Sequence, residues 1–433
     1  MTLKEQIVHV LGAGRSGKAA AVLAAAEGAI VPLFDSAEEI INVPAGVMPH
    51  SGATIEVGQQ QSCDLLVISP GIDTFGDYVA AFSKNAKEMI GETELGYRYY
   101  EGKVIAITGT NGKTTTTELV QQIMTANGIS CVACGNYGMP LSEVVLLDEI
   151  PEAIALELSS FQLETINELR PDVAVWMNFD ADHMDRYTCI EDYKDAKLRI
   201  FENQTNEDFA VVREDEELGD LKAKKLTFTS ESENADFSIK DDWISSQGER
   251  IIDFSQTKLR GLHNAENVMA AIGACMQVGA TKVNIVKALN SFVPPKHRCE
   301  LILTLDGVEY LNDSKATNLH ALDSALRSQP RPVVLLAGGK QKGLDYVPLL
   351  PRLEKHVTFA IVFGEIAAEL ANLFSQVVET KSVETLEQAV ELSASVAKHG
   401  DVVLLSPGTS SFDQFKGYEH RGDVFREAVN NLT

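Results

Sequence analysis

Short apolar runs alternate with glycine turns and helix-period stretches along this chain. Residues 6–11 form the first run, and Gly12-Ala-Gly14-Arg-Ser-Gly17 follows it. The alanine-rich stretch over 18–27 has the composition of a helix. The next run, Ile30 to Phe34, stops at Asp35. This order predicts a strand–helix–strand unit with an acidic residue about 20 positions beyond the glycines, as in dinucleotide-binding folds. Asp64 to Ser69 reads as a further strand, ending in Ser69-Pro70-Gly71. The polar, aromatic stretch Gly91 to Gly102 reads as a linker.

A second series opens with Val104-Ile-Ala-Ile107, a glycine-rich turn and a helix-like run from Thr115 to Thr125. Its next strands are Ala153 to Glu157 and Val173 to Asn178, each ending in polar residues. Glu191 to Glu202 has helical character. The charged run from Arg213 to Lys225 reads as solvated surface. Pro294-Pro295 marks a boundary. Beyond it strands are expected at Gly307–Asn312, Val333–Leu336, Phe359–Phe363 and Val402–Leu405, with helices between. Alternating strands and helices predict α/β domains with parallel sheets.

The 433 residues suffice for about three domains, and 45% apolar content lets each bury a core. A net charge of −25 argues against a general nucleic-acid binder, whose affinity rests on Lys and Arg. Any phosphate site must therefore be built locally from amides, lysines and metal. The start, Met1-Thr-Leu-Lys-Glu-Gln, lacks the basic-then-apolar order of a signal peptide. No apolar run approaches the ~20 residues that span a bilayer. Cys131 and Cys134 form a C-x-x-C with no second pair, so reduced buried thiols are expected rather than zinc. A monomeric, cytoplasmic chain that binds no nucleic acid and inserts in no membrane is expected.

Ile107-Thr-Gly109-Thr110-Asn111-Gly112-Lys113-Thr114-Thr115 carries the strongest chemistry. Backbone N–H groups and a helix N-terminus converge on an anion there. Lys113 suits β/γ-phosphate charge and Thr114 suits Mg²⁺. The usual pattern places a glycine at 107, where this chain has Ile107, so the phosphate loop is a shortened variant. The Gly12 motif describes only a close approach to a diphosphate, which NAD and a nucleotide sugar both carry. Glu157 and His183, the latter in Asn178-Phe-Asp-Ala-Asp-His183-Met-Asp-Arg186-Tyr187, are candidate metal ligands. Lys197 lies four residues from both Tyr193 and Phe201, so one helix face sets an amine among aromatics. A partly desolvated amine has a lowered pKa and can act as a nucleophile, for instance toward CO₂. A snorkelling surface lysine is the other reading. Asn312-Asp313-Ser314-Lys315-Ala316-Thr317-Asn318, Gly338 to Gly343 and Ser406 to Phe415 each follow a strand. Their lysines and hydroxyls suit a small anionic substrate. On residues alone an NAD-dependent oxidoreductase and a phosphate-loop switch stay open.

Gly109-Thr-Asn-Gly-Lys-Thr, Glu157-Leu-Ser-Ser-Phe-Gln-Leu-Glu164, His183-Met-Asp-Arg-Tyr187, Asn312-Asp-Ser-Lys-Ala-Thr317 and Ser411-Phe-Asp-Gln-Phe-Lys416 together resemble the Mur ligase family of the bacterial cell-wall pathway. The last two pieces resemble its glutamate-adding members. The resemblance implies three α/β domains. These are a Rossmann-like UDP-sugar domain over 1–93, a central ATP-binding domain with a mostly parallel sheet over 94–295, and a Rossmann-like glutamate-binding domain over 296–433. It implies an ATP-dependent ligase joining D-glutamate to UDP-N-acetylmuramoyl-L-alanine through an acyl phosphate. ATP, Mg²⁺ and a carbamylated Lys197 are the implied cofactors. Gly14, Arg15, Ser16, Asp35, Ser36, Ser69, Pro70, Gly71, Asn136, Ser159 and His183 would hold the UDP-sugar. Gly109 to Thr115, with Asn264, Asn267, Arg298 and Asp313, would hold ATP. Lys315, Thr317, Lys342, Ser411, Phe412 and Tyr418 would receive glutamate. Thr114, Glu157, His183 and Lys197 would organise metal, and Lys113, Glu157, His183 and Lys197 would be catalytic. Ala37 stands where some relatives carry a basic residue, and Lys340 receives no role.

Overall fold

The computed structural model describes residues 2–180, 186–187, 189–294, 296–327, 329 and 331–432. His183 and Pro295 thus lie outside the described residues. Two compact units divide the chain. One comprises Met1–Phe254 with Glu266–Phe292, the other Ser255–Ala265 with Val293–Thr433. The architecture is α/β with mostly parallel sheets.

The first unit carries two sheets. A five-stranded, all-parallel sheet has the order Val47–His50, Val31–Phe34, Val8–Leu11, Cys63–Ile68, Ala86–Gly91. Leu65 and Val67 face one apolar cluster while Leu66 and Ile68 face another. Both faces are covered, which is why the strand reads as an unbroken apolar run rather than an alternation. The nine-stranded sheet runs Glu249–Asp253, Trp243–Ser246, Phe237–Lys240, Lys224–Thr229, Phe209–Arg213, Val173–Trp176, Lys103–Thr108, Ala153–Glu157, Cys131–Gly135. Only its first three strands pair antiparallel. In each sheet the strand order reverses, at Val8–Leu11 and at Lys103–Thr108, and the clefts of open parallel sheets form at such points.

The stretch expected as a linker is a buried helix, Glu92–Tyr97. Its acidic residues misled the reading, because both are buried rather than exposed. Glu94 accepts hydrogen bonds from the backbone N–H groups of Asn167, Glu168 and Leu169, and from Arg98. Glu92 accepts from the Ser142 N–H at 2.7 Å. Lys113–Ala126 is the helix expected after the phosphate loop, and it ends where Gly128 adopts φ +81°. The helix expected over Glu191–Glu202 is Ile190–Leu198 followed by a 3₁₀ turn, Arg199–Phe201. Cys131 and Cys134 are free and stand three apart on one strand, so their side chains leave opposite faces. Burial pushes the Cys131 thiol up to about 12 and Cys134 well above its ordinary value.

The second unit holds a six-stranded sheet ordered Glu300–Leu305, Val308–Asn312, Val402–Leu405, Val333–Gly338, Val357–Phe363, Thr380–Ser382. Only the first pair is antiparallel. Among the described residues no helix is long and apolar enough to cross a membrane.

Candidate functional site

The first glycine turn follows Val8–Leu11 and opens the helix Arg15–Ala26, with Gly14 at its N-cap. A Cβ on Gly17 would stand 1.8 Å from the Gly12 carbonyl oxygen, so only glycine lets the helix start this close to the strand end. Ser69, after the neighbouring strand, donates to the same carbonyl at 3.1 Å. Asp35 is fixed by the N–H groups of Ala13 (2.6 Å) and Ala37 (2.9 Å). Gly12, Asp35, Ser36, Thr54, Ile55, Glu56, Ile72 and Tyr78 line a cleft of about 670 Å³. The Tyr78 hydroxyl is buried there without a partner, and burial beside Asp35 pushes its pKa up to about 12. Arg15 donates to the Gly138 carbonyl at 2.7 Å and pairs with Glu143, and Ser16 is half-buried.

The phosphate loop is held by the end of the adjacent strand. Asn178 clasps Asn111 twice, accepting from its N–H at 2.9 Å and donating to its carbonyl at 3.2 Å. The Thr110 N–H donates to the Asn178 carbonyl at 3.0 Å. Gly109 (φ +148°) and Gly112 (φ +82°) take conformations that L side chains resist, and a Cβ on Gly112 would meet Asn267 Oδ1 at 2.4 Å. Asn267 therefore sits against the loop. Asn264, on the same helix Leu262–Gln277, donates to the Arg260 carbonyl. Thr114 and Thr115 are buried. Lys113 Nζ folds back on the carbonyls of Gly109 (2.8 Å) and Thr110 (3.0 Å).

Lys197 is not a snorkelling surface lysine. It is 2% exposed, and its Nζ lies 3.0 Å from the Gly109 carbonyl and 4.9 Å from the Tyr193 ring centroid. Two lysine nitrogens thus converge on one carbonyl oxygen, an arrangement that favours an anion between them. Phe201 packs instead on Trp176.

Glu157 ends its strand in register with Ile107, at the foot of the phosphate loop. It is 2% exposed; Oε1 accepts from Asn136 Nδ2 at 2.7 Å, and Oε2 is buried without a hydrogen-bond partner. A buried carboxylate oxygen left open in this way fits a cation. Among the described residues no three His, Cys, Asp or Glu side chains gather for a metal, and His183 is not among those residues. The Ser159 hydroxyl accepts from Gln162 N in a capping box, so its side chain serves the helix Ser160–Leu163.

In the second unit, the three loops expected to carry substrate contacts leave three adjacent strands. They are tied together: Gly408 N–H to the Ala316 carbonyl, Gly338 N–H to the Pro407 carbonyl and Lys340 N–H to the Ser410 carbonyl. Arg421, fully buried, donates to the Ser314 and Thr409 carbonyls and to the Ser314 hydroxyl. Burial lowers its guanidinium to about 10. Asp313 accepts from Ser406 at 2.9 Å and from Cys299 N–H at 3.2 Å, and burial raises it to about 7 despite nearby Arg298. Lys315 Nζ lies 3.9 Å from the Tyr418 ring centroid. Thr317 is half-buried and Ser411 is 2% exposed, whereas Phe412 (65%) and the Lys342 side chain are exposed.

Asn178, Arg186 and Arg421 received no role from the sequence. Asn178 and Arg186 had a signal, their place in the run around His183; Arg421 had none.

The family model of the Mur ligase middle domain matches residues 107–275, and that of the Mur ligase glutamate ligase domain matches 297–408. The chain is 37% identical over 449 residues to the UDP-N-acetylmuramoylalanine–D-glutamate ligase of Geobacter metallireducens, covering 100% of this chain and 99% of the relative. To the Aquifex aeolicus protein of that name it is 40% identical over 371 residues, 84% of this chain and 88% of the relative. Among solved structures it resembles the MurF ligase of Thermotoga maritima in complex with ADP (TM-score 0.64, 17% identity, 100% and 96% covered). It also resembles MurC of Thermotoga maritima (TM-score 0.57, 17% identity, 99% and 100% covered). At these identities the structures show the fold alone.

Proposed function

The chain belongs to the Mur ligase family, and we infer that it adds D-glutamate to UDP-N-acetylmuramoyl-L-alanine, cleaving ATP to ADP and phosphate in peptidoglycan precursor synthesis. One observation in the geometry supports this most directly. The first unit holds two separate diphosphate-type cradles, the Gly12 turn and the Gly109–Thr114 loop, and the second has a buried lysine and carboxylate beside it. An oxidoreductase would use only the first cradle.

We propose the residue roles that the family resemblance implies. The Gly14–Ser16 turn, Asp35, Ser36, the Ser69-Pro70-Gly71 turn and Ser159 take the UDP-sugar, with Asn136 and His183 nearer its peptide end. The loop 109–115 takes the ATP phosphates, with Asn264, Asn267, Arg298 and Asp313 as further nucleotide contacts. Lys315, Thr317, Lys342, Ser411, Phe412 and Tyr418 take glutamate. We assign these three tasks to residues 1–93, 94–295 and 296–433, in a cytoplasmic monomer.

The substrate carboxylate attacks the γ-phosphorus and ADP leaves, giving an acyl phosphate. The glutamate amine then attacks the acyl carbon, phosphate leaves and the amide remains. Lys113 moves from its own loop carbonyls to the transferring phosphoryl oxygens, where charge spreads in the transition state. Thr114 and Glu157, with His183, would hold Mg²⁺, which when bound neutralises phosphate charge; the open Glu157 Oε2 fits that role. Lys197 as a carbamate would place an anionic group beside Gly109, near the phosphate loop. Asn178 pins the loop backbone by accepting from the Thr110 and Asn111 N–H groups.

The test is phosphate release with UDP-N-acetylmuramoyl-L-alanine and ATP, adding D-Glu, L-Glu, L-Lys or no amino acid. Release dependent on D-Glu is expected. Equal release without an amino acid would favour a phosphate-loop switch and overturn the reading.

A further inference from the structure

Arg186 contacts both halves of the first unit. Its Nη1 donates to the Pro70 carbonyl at 3.3 Å, and its Nη2 donates to the Thr74 hydroxyl at 3.1 Å. Both partners lie in the segment after the strand Cys63–Ile68 of the five-stranded sheet. The same Nη2 donates to Glu164 Oε2 at 2.7 Å, and the guanidinium stacks 4.0 Å from the Phe161 ring centroid. Those partners lie just beyond Glu157, on the nine-stranded sheet's side. The arginine side chain is 12% exposed and that of Glu164 only 3%. Tyr187 donates to the other oxygen of Glu164 at 2.5 Å, so the carboxylate that anchors Arg186 is itself fixed.

The gripped segment belongs to the first glycine turn. Ser69 donates to the Gly12 carbonyl, the Ile72 N–H donates to the Ser69 carbonyl, and Ile72 lines the cleft. One planar cation therefore joins the wall of the UDP-sugar cleft to the segment that carries the metal-ligand carboxylate. A lysine could not reproduce this, because it lacks the flat fork that donates in several directions while stacking on a ring.

We propose that Arg186 is a positioning residue for the UDP-sugar. It holds Ser69–Thr74 in register with Glu157–Glu164, so that a sugar bound at the Gly12 turn presents its carboxylate toward the phosphate loop. This rests on the ligase reading above.

The experiment compares wild type with Arg186→Ala, Arg186→Lys and Thr74→Val. It measures the KM of each of the three substrates, UDP-N-acetylmuramoyl-L-alanine binding by calorimetry without ATP, and thermal melting. Arg186→Ala should raise the UDP-sugar KM and dissociation constant about 10- to 100-fold, the scale of lost charge-assisted hydrogen bonds, with the ATP and glutamate KM values nearly unchanged. Arg186→Lys should recover little of this. Thr74→Val removes one contact at a half-buried position and should shift the UDP-sugar KM alone, about 3- to 10-fold, the scale of one ordinary hydrogen bond. Equal rises in all three KM values for Arg186→Ala would overturn the proposal. So would a Thr74→Val enzyme identical to wild type, which also decides the matter if Arg186→Ala does not fold. Failure of the ligase reading looks different: wild type itself would then show no D-Glu-dependent turnover.

Discussion

Lys197 and Lys113 both donate to the Gly109 carbonyl, and this residue-scale detail bears directly on chemistry. Lys197 is buried and Lys113 partly so, and a carbamate on Lys197 would put an anionic group close to the Lys113 ammonium. Lys197→Ala should therefore lose most ligase activity, about 10²-fold or more if its charge acts in the transition state. Short carboxylic acids should restore part of it, because a free carboxylate can occupy the vacated space; added amines should not. Rescue by amines, or full activity of the variant, would remove the carbamate from the mechanism. Much at this scale was legible beforehand. Glycine, lysine and threonine at fixed spacing have one common use beside a strand end, and Glu157 stands where its strand ends. The roles of Asn178, Arg186 and Arg421 were not legible, because each acts on groups far away in sequence that only the fold brings near.

The helix Glu92–Tyr97 shows at element scale how burial changes an acid. Glu92 is fully enclosed, has one oxygen on the Ser142 N–H and the other unpartnered, and is raised by burial from 4.5 to about 7. The folded chain thus keeps a proton that the unfolded chain has released. Its contribution favours folding at low pH and is lost as pH rises from about 4.5 to about 7, by up to about 3 kcal/mol. Glu92→Gln mimics the protonated acid at every pH. Urea midpoints of the two proteins should nearly coincide at pH 4, and the Gln variant should be the more stable at pH 8. Parallel pH curves would show that Glu92 is not the titrating group. This helix was taken for a linker because the stretch Gly91 to Gly102, with three acids and three tyrosines, looks like surface, and nothing local reveals that backbone amides of Asn167–Leu169 await Glu94. Elements with one dominant apolar run were read closely: Ala153–Glu157 and Val402–Leu405 have the expected bounds. The antiparallel strands Phe237–Lys240, Trp243–Ser246 and Glu249–Asp253 were missed, since serines, lysines and acids dilute their short patterns.

At the scale of the whole molecule, the phosphate loop and the lysine-bearing loops belong to different compact units. That Ser255–Ala265 joins the second unit was not readable, because no change of composition marks it. The division lets substrate contacts be separated kinetically. The loops of the second unit offer Lys315, Lys342, Thr317 and Ser411 and no acid at those positions, so the two carboxylates of glutamate find cations while the ammonium of an incoming lysine would meet like charge. Lys315 is already set against Tyr418, whereas Lys342 is exposed and its backbone is shaped by Gln341, whose Oε1 accepts from the N–H groups of Lys342 and Gly343. Lys342→Ala should leave that turn intact and remove only the ammonium. The KM for D-glutamate should rise about 10- to 100-fold, the 1.5–3 kcal/mol of a charge-assisted hydrogen bond, while those for ATP and the UDP-sugar stay within about twofold, because their phosphate cradles, the Gly109–Thr114 loop and the Gly12 turn, are built by the other unit. Lys342→Arg should recover part of the loss. Equal losses for all three substrates would mean that Lys342 supports the arrangement of the second unit rather than the amino acid, and the partner for the glutamate carboxylates would then have to be sought at Lys315 and the buried hydroxyl of Ser411.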